Sequence, residues 1–263
     1  SSAASDVYKR QKQDGLVNVV VMKKLKVCWL SAGVSSFLAG YFERDSIDKY
    51  IYIDIDDQHE DSMRFIKDCE KVLGKRIEIL KSPYGSVENC ILSAGMIRNP
   101  FTQFAPCTNW LKKRVRKEWE EKHTDFQITY IWGFDCEEKH RAERLNESMP
   151  DFKHEFPLIE RMLTKQDVHA LFDRLFDFKR PVMYDMGYQN NNCVGCVKGG
   201  MWYWNQIRKD FPDVFKARSE LERKIGASII KGVYLDELEP CRGRKEDEIS
   251  TDCGIMCYLN LDK

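Results

Sequence analysis

Four cysteines of the chain form two closely spaced pairs, Cys193-x2-Cys196 and Cys253-x3-Cys257. Two thiolates two residues apart can reach one tetrahedral metal centre, and the first pair lies in a loop rich in Gly and Asn. The second pair supplies two further thiolates. Together the pairs are typical of a four-thiolate zinc site.

A second candidate site is the loop S-A-G-V-S-S, made of Ser31, Ala32, Gly33, Val34, Ser35 and Ser36. It follows an apolar run and opens a predicted helix, where unpaired backbone N–H groups and the helix dipole attract anions. Its small residues let the backbone approach a phosphate closely, and its hydroxyls add donors. An ordinary strand-to-helix turn with a serine N-cap is the alternative. The loop lacks the lysine of the P-loop and the spacing of the dinucleotide-binding glycines.

The elements that position these residues alternate between apolar runs and helical patterns. Strands are predicted at residues 27–30, 50–55, 77–80 and 128–132, and helices at residues 36–42, 60–73, 109–122, 165–176 and 202–225. Such alternation predicts βαβ units. The expected fold class is therefore α/β, with a parallel twisted sheet flanked by helices and a cysteine-rich, metal-binding C-terminal region.

The chain divides into three predicted segments. Residues 1–21 lack periodicity over their first fifteen positions and are expected to be a scar, upstream read-through or a disordered tail. Residues 22–160 form the predicted nucleotide-binding core. Residues 161–263 are expected to be a helical and cysteine-rich elaboration of the same domain.

Composition limits the classes of partner. Lys plus Arg and Asp plus Glu number 42 each, so no global basic field draws the chain to nucleic acid. The basic run at residues 112–117 is read as a solvated helix face, with polyanion binding as the alternative. No stretch approaches the roughly 18 to 20 apolar residues of a membrane span, and no secretory leader is evident. We expect a soluble, cytoplasmic protein in which ten cysteines indicate metal or redox chemistry, with Cys28, Cys69 and Cys90 buried.

Several motifs together resemble the phosphoadenylyl-sulfate (PAPS) reductase family of the PP-loop, adenine nucleotide alpha hydrolase-like superfamily. The loop at residues 31–36 is similar to the family's S-G-G-x-D-S, with Ala32 at the second position and Ser35 at the acidic one. The segment Y-I-D-I-D at residues 52–56 is similar to the family's adenosine-holding strand. Gly133-x3-Glu137-Glu138-x2-Arg141 is similar to G-x-R-x-x-E-S-x-x-R, with Asp135 and Lys139 replacing its first Arg and its Ser.

Two further motifs place the resemblance in a branch common in phages and mobile elements. They are Pro106-Cys107-Thr108-x2-Leu111-Lys112 and Asn192-Cys193-x2-Cys196-Val197-Lys198-Gly199-Gly200. With them, the resemblance extends over most of the chain, from about residue 25 to residue 257.

The resemblance implies a site for an adenine nucleotide, namely PAPS, APS or ATP. It implies nucleotide binding by residues 31–36 together with Asp54, Asp56, Lys112, Gly133 and Glu138. It further implies that Arg141 and Lys198 face the sulfate and that Cys253, within D-C-G, attacks its sulfur. Sulfite and an adenosine phosphate would be released, and a thioredoxin-like protein would regenerate the thiol.

The resemblance also offers a second assignment for the metal site. A [4Fe-4S] cluster would be held by Cys107, Cys193 and Cys196, with Cys257 or Cys136 as the fourth ligand. Four thiolates serve zinc or a cluster, and the spacing alone does not choose between them. If Cys253 ligates the metal, it is not the nucleophile.

Two alternative functions fit the same motifs. One is an ATP-dependent sulfurtransferase that adenylates a nucleic acid or a metabolite and inserts sulfur. The other is a non-catalytic nucleotide-sensing module, which Ser35 in the acidic position favours. A homodimer is compatible with every one of these functions.

The thiolate site predicts bound metal in the purified protein. After anaerobic purification we expect about one zinc ion or one cluster per chain, because four thiolates satisfy either centre. Metal analysis and a visible spectrum separate the two: a brown protein contradicts zinc, and a colourless one with stoichiometric zinc contradicts the cluster. A protein with neither metal would contradict the site itself.

Overall fold

The structure is a computed structural model that describes residues 8–13, 16–99 and 104–249. Its strands are β1 (Tyr8–Gln13), β2 (Leu16–Val21), β3 (Lys23–Leu30), β4 (Lys49–Asp54), β5 (Ile77–Lys81), β6 (Phe126–Ile131) and β7 (Lys153–Glu155). Five of them form a parallel sheet in the order β5-β4-β3-β6-β7. The predicted α/β class with a parallel sheet is confirmed.

Helices separate the strands of the parallel sheet and continue after β7. They are α1 (Val34–Phe42), α2 (Asp61–Leu73), α3 (Val87–Ala94), α4 (Pro106–Thr108), α5 (Arg114–Glu121), α6 (Lys139–Ser148), α7 (Pro157–Glu160), α8 (Lys165–Leu175), α9 (Val182–Asp185), α10 (Met201–Asp210) and α11 (Pro212–Ile225). A π-helical turn spans Asn109–Lys113, and 3-10 turns span Cys136–Glu138, Leu235–Glu237 and Lys245–Asp247. In the described part of the chain, no helix is both long and apolar enough to cross a membrane.

The strand order creates one crevice at the carboxyl edge of the sheet. From β3 the chain moves outward to β4 and β5, then returns to the other side of β3 for β6 and β7. The loops that follow β3 and β6 therefore leave the sheet in opposite directions. Such a switch point is where open parallel sheets usually bind ligands.

Alternating side chains of the central strands fill a core on each face of the sheet. In β3, Val27 and Trp29 pack into one hydrophobic cluster, and Cys28 and Leu30 into the other. A period of two is what a strand buried on both faces requires. Cys28, Cys69 and Cys90 are buried in these clusters, as expected.

Several predicted elements differ from the structure. The single helix expected at residues 202–225 is two helices, α10 and α11, because Pro212 cannot continue a helix and restricts Phe211 before it. The basic helix at residues 109–122 begins with the π-helical turn. β1 and β2 pair antiparallel within residues 1–21, where no regular structure was expected. The predicted domain limits stay a prediction.

A buried ion pair fixes the C-terminal helices to the core. The Arg218 guanidinium on α11 pairs with the Asp57 carboxylate in the loop after β4, and both side chains are nearly buried. Asp57 also accepts the Val87 N–H at 2.6 Å, and its carbonyl accepts the Val194 N–H at 2.7 Å. The cysteine loop is thereby held beside the carboxyl end of β4.

Candidate functional site

The loop after β3 forms the floor of the crevice. Ser36 lies in the first turn of α1, and its hydroxyl donates to the Gly33 carbonyl at 3.0 Å and accepts the Ser31 N–H at 3.0 Å. Because the Ser36 hydroxyl already donates its one hydrogen to Gly33, the Ser31 hydroxyl is the donor in the 3.1 Å contact between the Ser31 and Ser36 hydroxyls. Ser36 therefore shapes the loop from inside, while Ser31 is exposed.

Backbone N–H groups at the start of α1 are the loop's anion-binding feature. Gly33 is the N-cap and has no side chain to accept them. Val34 donates its N–H to the Tyr184 hydroxyl, and burial raises the pKa of Tyr184 to about 12. The N–H groups of Ser35 and Ser36 have no acceptor among the described residues. Two amides and the helix dipole thus favour an anion here.

Ala32 takes a backbone conformation that is uncommon for its type. Its φ is 56°, in the left-handed region where a Cβ costs about 1 to 2 kcal/mol. Its carbonyl accepts the Asn191 side-chain N–H at 2.8 Å, a contact that the strained turn makes available. This is the position at which the resembled loop carries glycine.

Gly133, directly after β6, lies against the first turn of α1. A Cβ on Gly133 would lie 2.6 Å from the backbone N of Ser36 and 2.7 Å from the carbonyl carbon of Ser35. Only glycine permits this approach, because real Cβ atoms do not come so close to backbone. Gly133 and the loop at residues 31–36 therefore meet at the switch point.

The end of β4 gathers a second group of predicted residues. Asp54 pairs with Lys81 at 2.8 Å, and Asp56 lies 3.8 Å from the same amine. The Tyr52 hydroxyl donates to Gln58, and burial together with the charges of Asp54 and Cys193 raises its pKa, which Lys112 opposes. Asp54, Lys112 and Cys193 are thus neighbours, although the sequence separates them widely.

The end of β6 gathers the third group. Arg141 pairs with Glu138, and its guanidinium carbon lies 4.4 Å from the centre of the Phe134 ring, so its orientation is fixed from two sides. Asp135 is buried and caps the following turn by accepting the Glu137 N–H at 3.0 Å. Burial raises the pKa of Asp135. Glu138 and Arg141 therefore contact Asp135 and Phe134, in the segment that follows Gly133.

Residues 189–200 cover the crevice, and we call them the cover loop. Cys193 forms a β-bridge with Gln58 after β4, while Asn191 contacts Ala32 after β3. Lys198 is buried within the loop, at 1 % exposure. The cover loop therefore spans the ends of both strands, and Cys193 lies at the end of β4.

Tyr203 holds the turn between the two cysteines. Its buried hydroxyl accepts the Cys196 N–H at 2.9 Å and donates to the Cys193 carbonyl at 2.9 Å. Gly195 between them has a φ of 73°, which favours glycine. Tyr203 and Trp204 are both buried and pack in the core.

The described cysteines supply donors for a metal but not a complete set. Cys107, Cys193 and Cys196 are buried in one hydrophobic cluster, and two thiols on one tight turn suit zinc or a cluster. Within residues 8–13, 16–99 and 104–249, no three Cys, His, Asp or Glu side chains are arranged to hold a metal. Cys257 and the predicted nucleophile Cys253 lie outside the described residues. The four-ligand site and the nucleophile stay predictions.

Four residues near this site were missed by sequence reasoning, namely Tyr184, Lys165, Asn191 and Glu248. Tyr184 and Asn191 contact the loop after β3, and the charge of Lys165 acts on Asp135 after β6. Glu248 accepts a hydrogen bond from Gln189 of the cover loop. All four are distant in sequence from the loops after β3 and β6. In the sequence, the run Q-N-N-N before Cys193 was the signal that could have indicated such contacts, since consecutive side-chain amides in a short loop need hydrogen-bond partners.

Comparison of the chain with models of known protein families gives no match. No curated protein matches its sequence either. The interpretation of the site therefore rests on its motifs and on the geometry described above.

The Tyr203 hydroxyl gives a direct test of the cysteine turn. Tyr203→Phe leaves the Cys196 N–H and the Cys193 carbonyl buried without a partner, which costs about 1 to 3 kcal/mol of unfolding free energy. Denaturant unfolding measures this loss, and alkylation by iodoacetamide should reach Cys193 and Cys196 faster. Tyr234→Phe is the control, because the Tyr234 hydroxyl has no hydrogen-bond partner among the residues that the structure describes. Equal stability and alkylation in the two variants would contradict the role of Tyr203.

Proposed function

We propose that the chain is a PP-loop protein that binds an adenine nucleotide at the carboxyl edge of its sheet. The observation that carries the proposal is the start of α1 at the switch point, where the Ser35 and Ser36 N–H groups have no acceptor among the described residues and Gly133 packs against the same turn. A phosphate fits there because its oxygens accept N–H groups and its charge suits the helix dipole. The base and ribose would then extend towards β4 and Asp54.

We further propose sulfonucleotide reduction of the PAPS reductase type. A Cys253 thiolate would attack the sulfonate sulfur, forming a thiosulfonate as the S–O bond to the nucleotide phosphate breaks. A thiolate of a thioredoxin-like dithiol would then attack the Cys253 sulfur and release sulfite. Its second thiol would free Cys253, so the dithiol supplies both electrons.

The described residues support this chemistry in two ways. Arg141 lies in the helix that follows Gly133 and Lys198 belongs to the cover loop, and we propose that these two cations stabilise the sulfonate. Gly199 forms a β-bridge with Ile249, four residues before Cys253. Four residues span at most about 14 Å, so the chain connection permits a cysteine at this edge.

Calorimetric titration with ATP, APS and PAPS tests the binding step. Wild type should bind at least one of them, and Gly133→Ala should weaken binding at least about tenfold, because the new methyl group displaces the first turn of α1. Gly226→Ala is the control: its φ of 73° is strained, but among the described residues only its own chain neighbours lie within 4 Å of the added Cβ. This control loses stability without touching the site.

Turnover with reduced thioredoxin then separates the candidate functions. Sulfite release from APS or PAPS that disappears in Cys253→Ser supports the reductase. Release of pyrophosphate or AMP from ATP, without sulfite, would contradict the reductase and support the sulfurtransferase. Binding without any turnover would leave a sensing module, and no binding of any of the three nucleotides would contradict the proposal.

A further inference from the structure

Three consecutive residues of the cover loop each contact a different element around the site. The Gln189 N–H donates to the Glu248 carboxylate at 2.9 Å, and the Asn190 side-chain carbonyl accepts from the Lys165 amine at 2.8 Å. The Asn191 amide donates to the Ala32 carbonyl at 2.8 Å. The C-terminal segment, the start of α8 and the loop after β3 are thereby joined within three residues.

Glu248 belongs to a short segment, residues 245–249, that we call the strap. The strap lies along the cover loop: the Glu248 carbonyl accepts the Gly200 N–H at 2.9 Å, and the Lys245 carbonyl accepts the Gln189 side-chain N–H at 2.9 Å. A Cβ on Gly200 would lie 2.2 Å from the Asp247 carbonyl oxygen. The contact is therefore too close for any residue other than glycine at position 200.

The Glu248 carboxylate is the buried part of an otherwise exposed segment. Glu248 is 2 % exposed, whereas residues 241–247 are all exposed. One carboxylate oxygen accepts Gln189, and the other is buried without a hydrogen-bond partner in the described part of the chain. Burying a carboxylate is costly, so a specific contact must compensate for it.

The surrounding charges connect Glu248 to the end of β6. Burial raises the pKa of Glu248, and the nearby cations Lys165 and Lys245 oppose that rise. Burial lowers the pKa of Lys165, which is also shifted by the charges of Asp135, Glu248, Arg141 and Glu137. Glu248 and Arg141 therefore both lie near the Lys165 amine.

We propose that Glu248 is a positioning residue of the nucleotide site. By holding Gln189, its carboxylate keeps Asn190 on Lys165 and Asn191 on Ala32, so that the cover loop stays in the conformation that receives the nucleotide. The inference rests on the proposed nucleotide binding. A loop that occupies its binding conformation one tenth of the time binds about tenfold more weakly, and this is the loss of nucleotide affinity expected when Glu248 is removed.

The test compares Glu248→Ala, Glu248→Gln and the control Glu246→Ala, whose side chain is the exposed neighbour in the strap. Amide hydrogen exchange of residues 189–191 and 199–200 is measured without nucleotide, and affinity for ATP, APS and PAPS is measured by calorimetry. Glu248→Ala should exchange faster at these amides and bind about tenfold more weakly. Glu248→Gln keeps an acceptor for Gln189 and should stay within about threefold of wild type. Thermal unfolding confirms that each variant is folded.

The outcomes separate this inference from the proposed function. If wild type binds a nucleotide and Glu248→Ala binds equally well, the positioning role is wrong, even where exchange increases. If Glu248→Gln is as impaired as Glu248→Ala, the acceptor for Gln189 is not the cause and the inference also fails. If wild type binds no nucleotide, the proposed function fails, while the exchange rates still decide whether Glu248 holds the loop.

Discussion

The close packing of Gly133 against the first turn of α1 is the contact on which the site depends. The strand order places β6 directly beside β3, so the loop after β6 must pass the helix that follows β3. Any side chain at position 133 would separate them. Because the approach is so close, the start of α1, the Glu138–Arg141 pair and buried Asp135 share one small volume.

The C-terminal part of the chain completes the site from above. The Asp57–Arg218 ion pair and the Gln58–Cys193 bridge fix the cover loop to the end of β4, while Asn191 fixes it to Ala32. Breaking a buried pair of this kind leaves an uncompensated charge, so the arrangement is rigid where it meets the core. The core therefore forms the lower side of the candidate site, and the cover loop lies above it.

The elements with strong periodicity could be predicted from the sequence, and those set by tertiary contacts could not. Apolar runs located β3, β4, β5 and β6, and helical patterns located α1, α2 and α8 to within a few residues. The three residues of β7 carry too short a pattern to recognise. The division of α10 from α11 could have been predicted from Pro212, whose effect on a helix is local.

For the site, motifs identified the residues after β3, β4 and β6 because each follows a strand. Asn191, Lys165 and Glu248 gave no such signal, since their roles arise only when the cover loop and the strap fold back over the sheet. The motif containing Ser36 was interpreted as three available hydroxyls. The structure instead uses the Ser36 hydroxyl within the loop itself.

The most direct measurement is an experimental structure of the protein with ATP or adenosine 3′,5′-bisphosphate bound. The account predicts a phosphate within about 3 Å of the Ser35 and Ser36 N–H groups, between the ends of β3 and β6 and beneath Asn191. A nucleotide bound elsewhere on the molecule, or a phosphate that makes no contact with the start of α1, would contradict it.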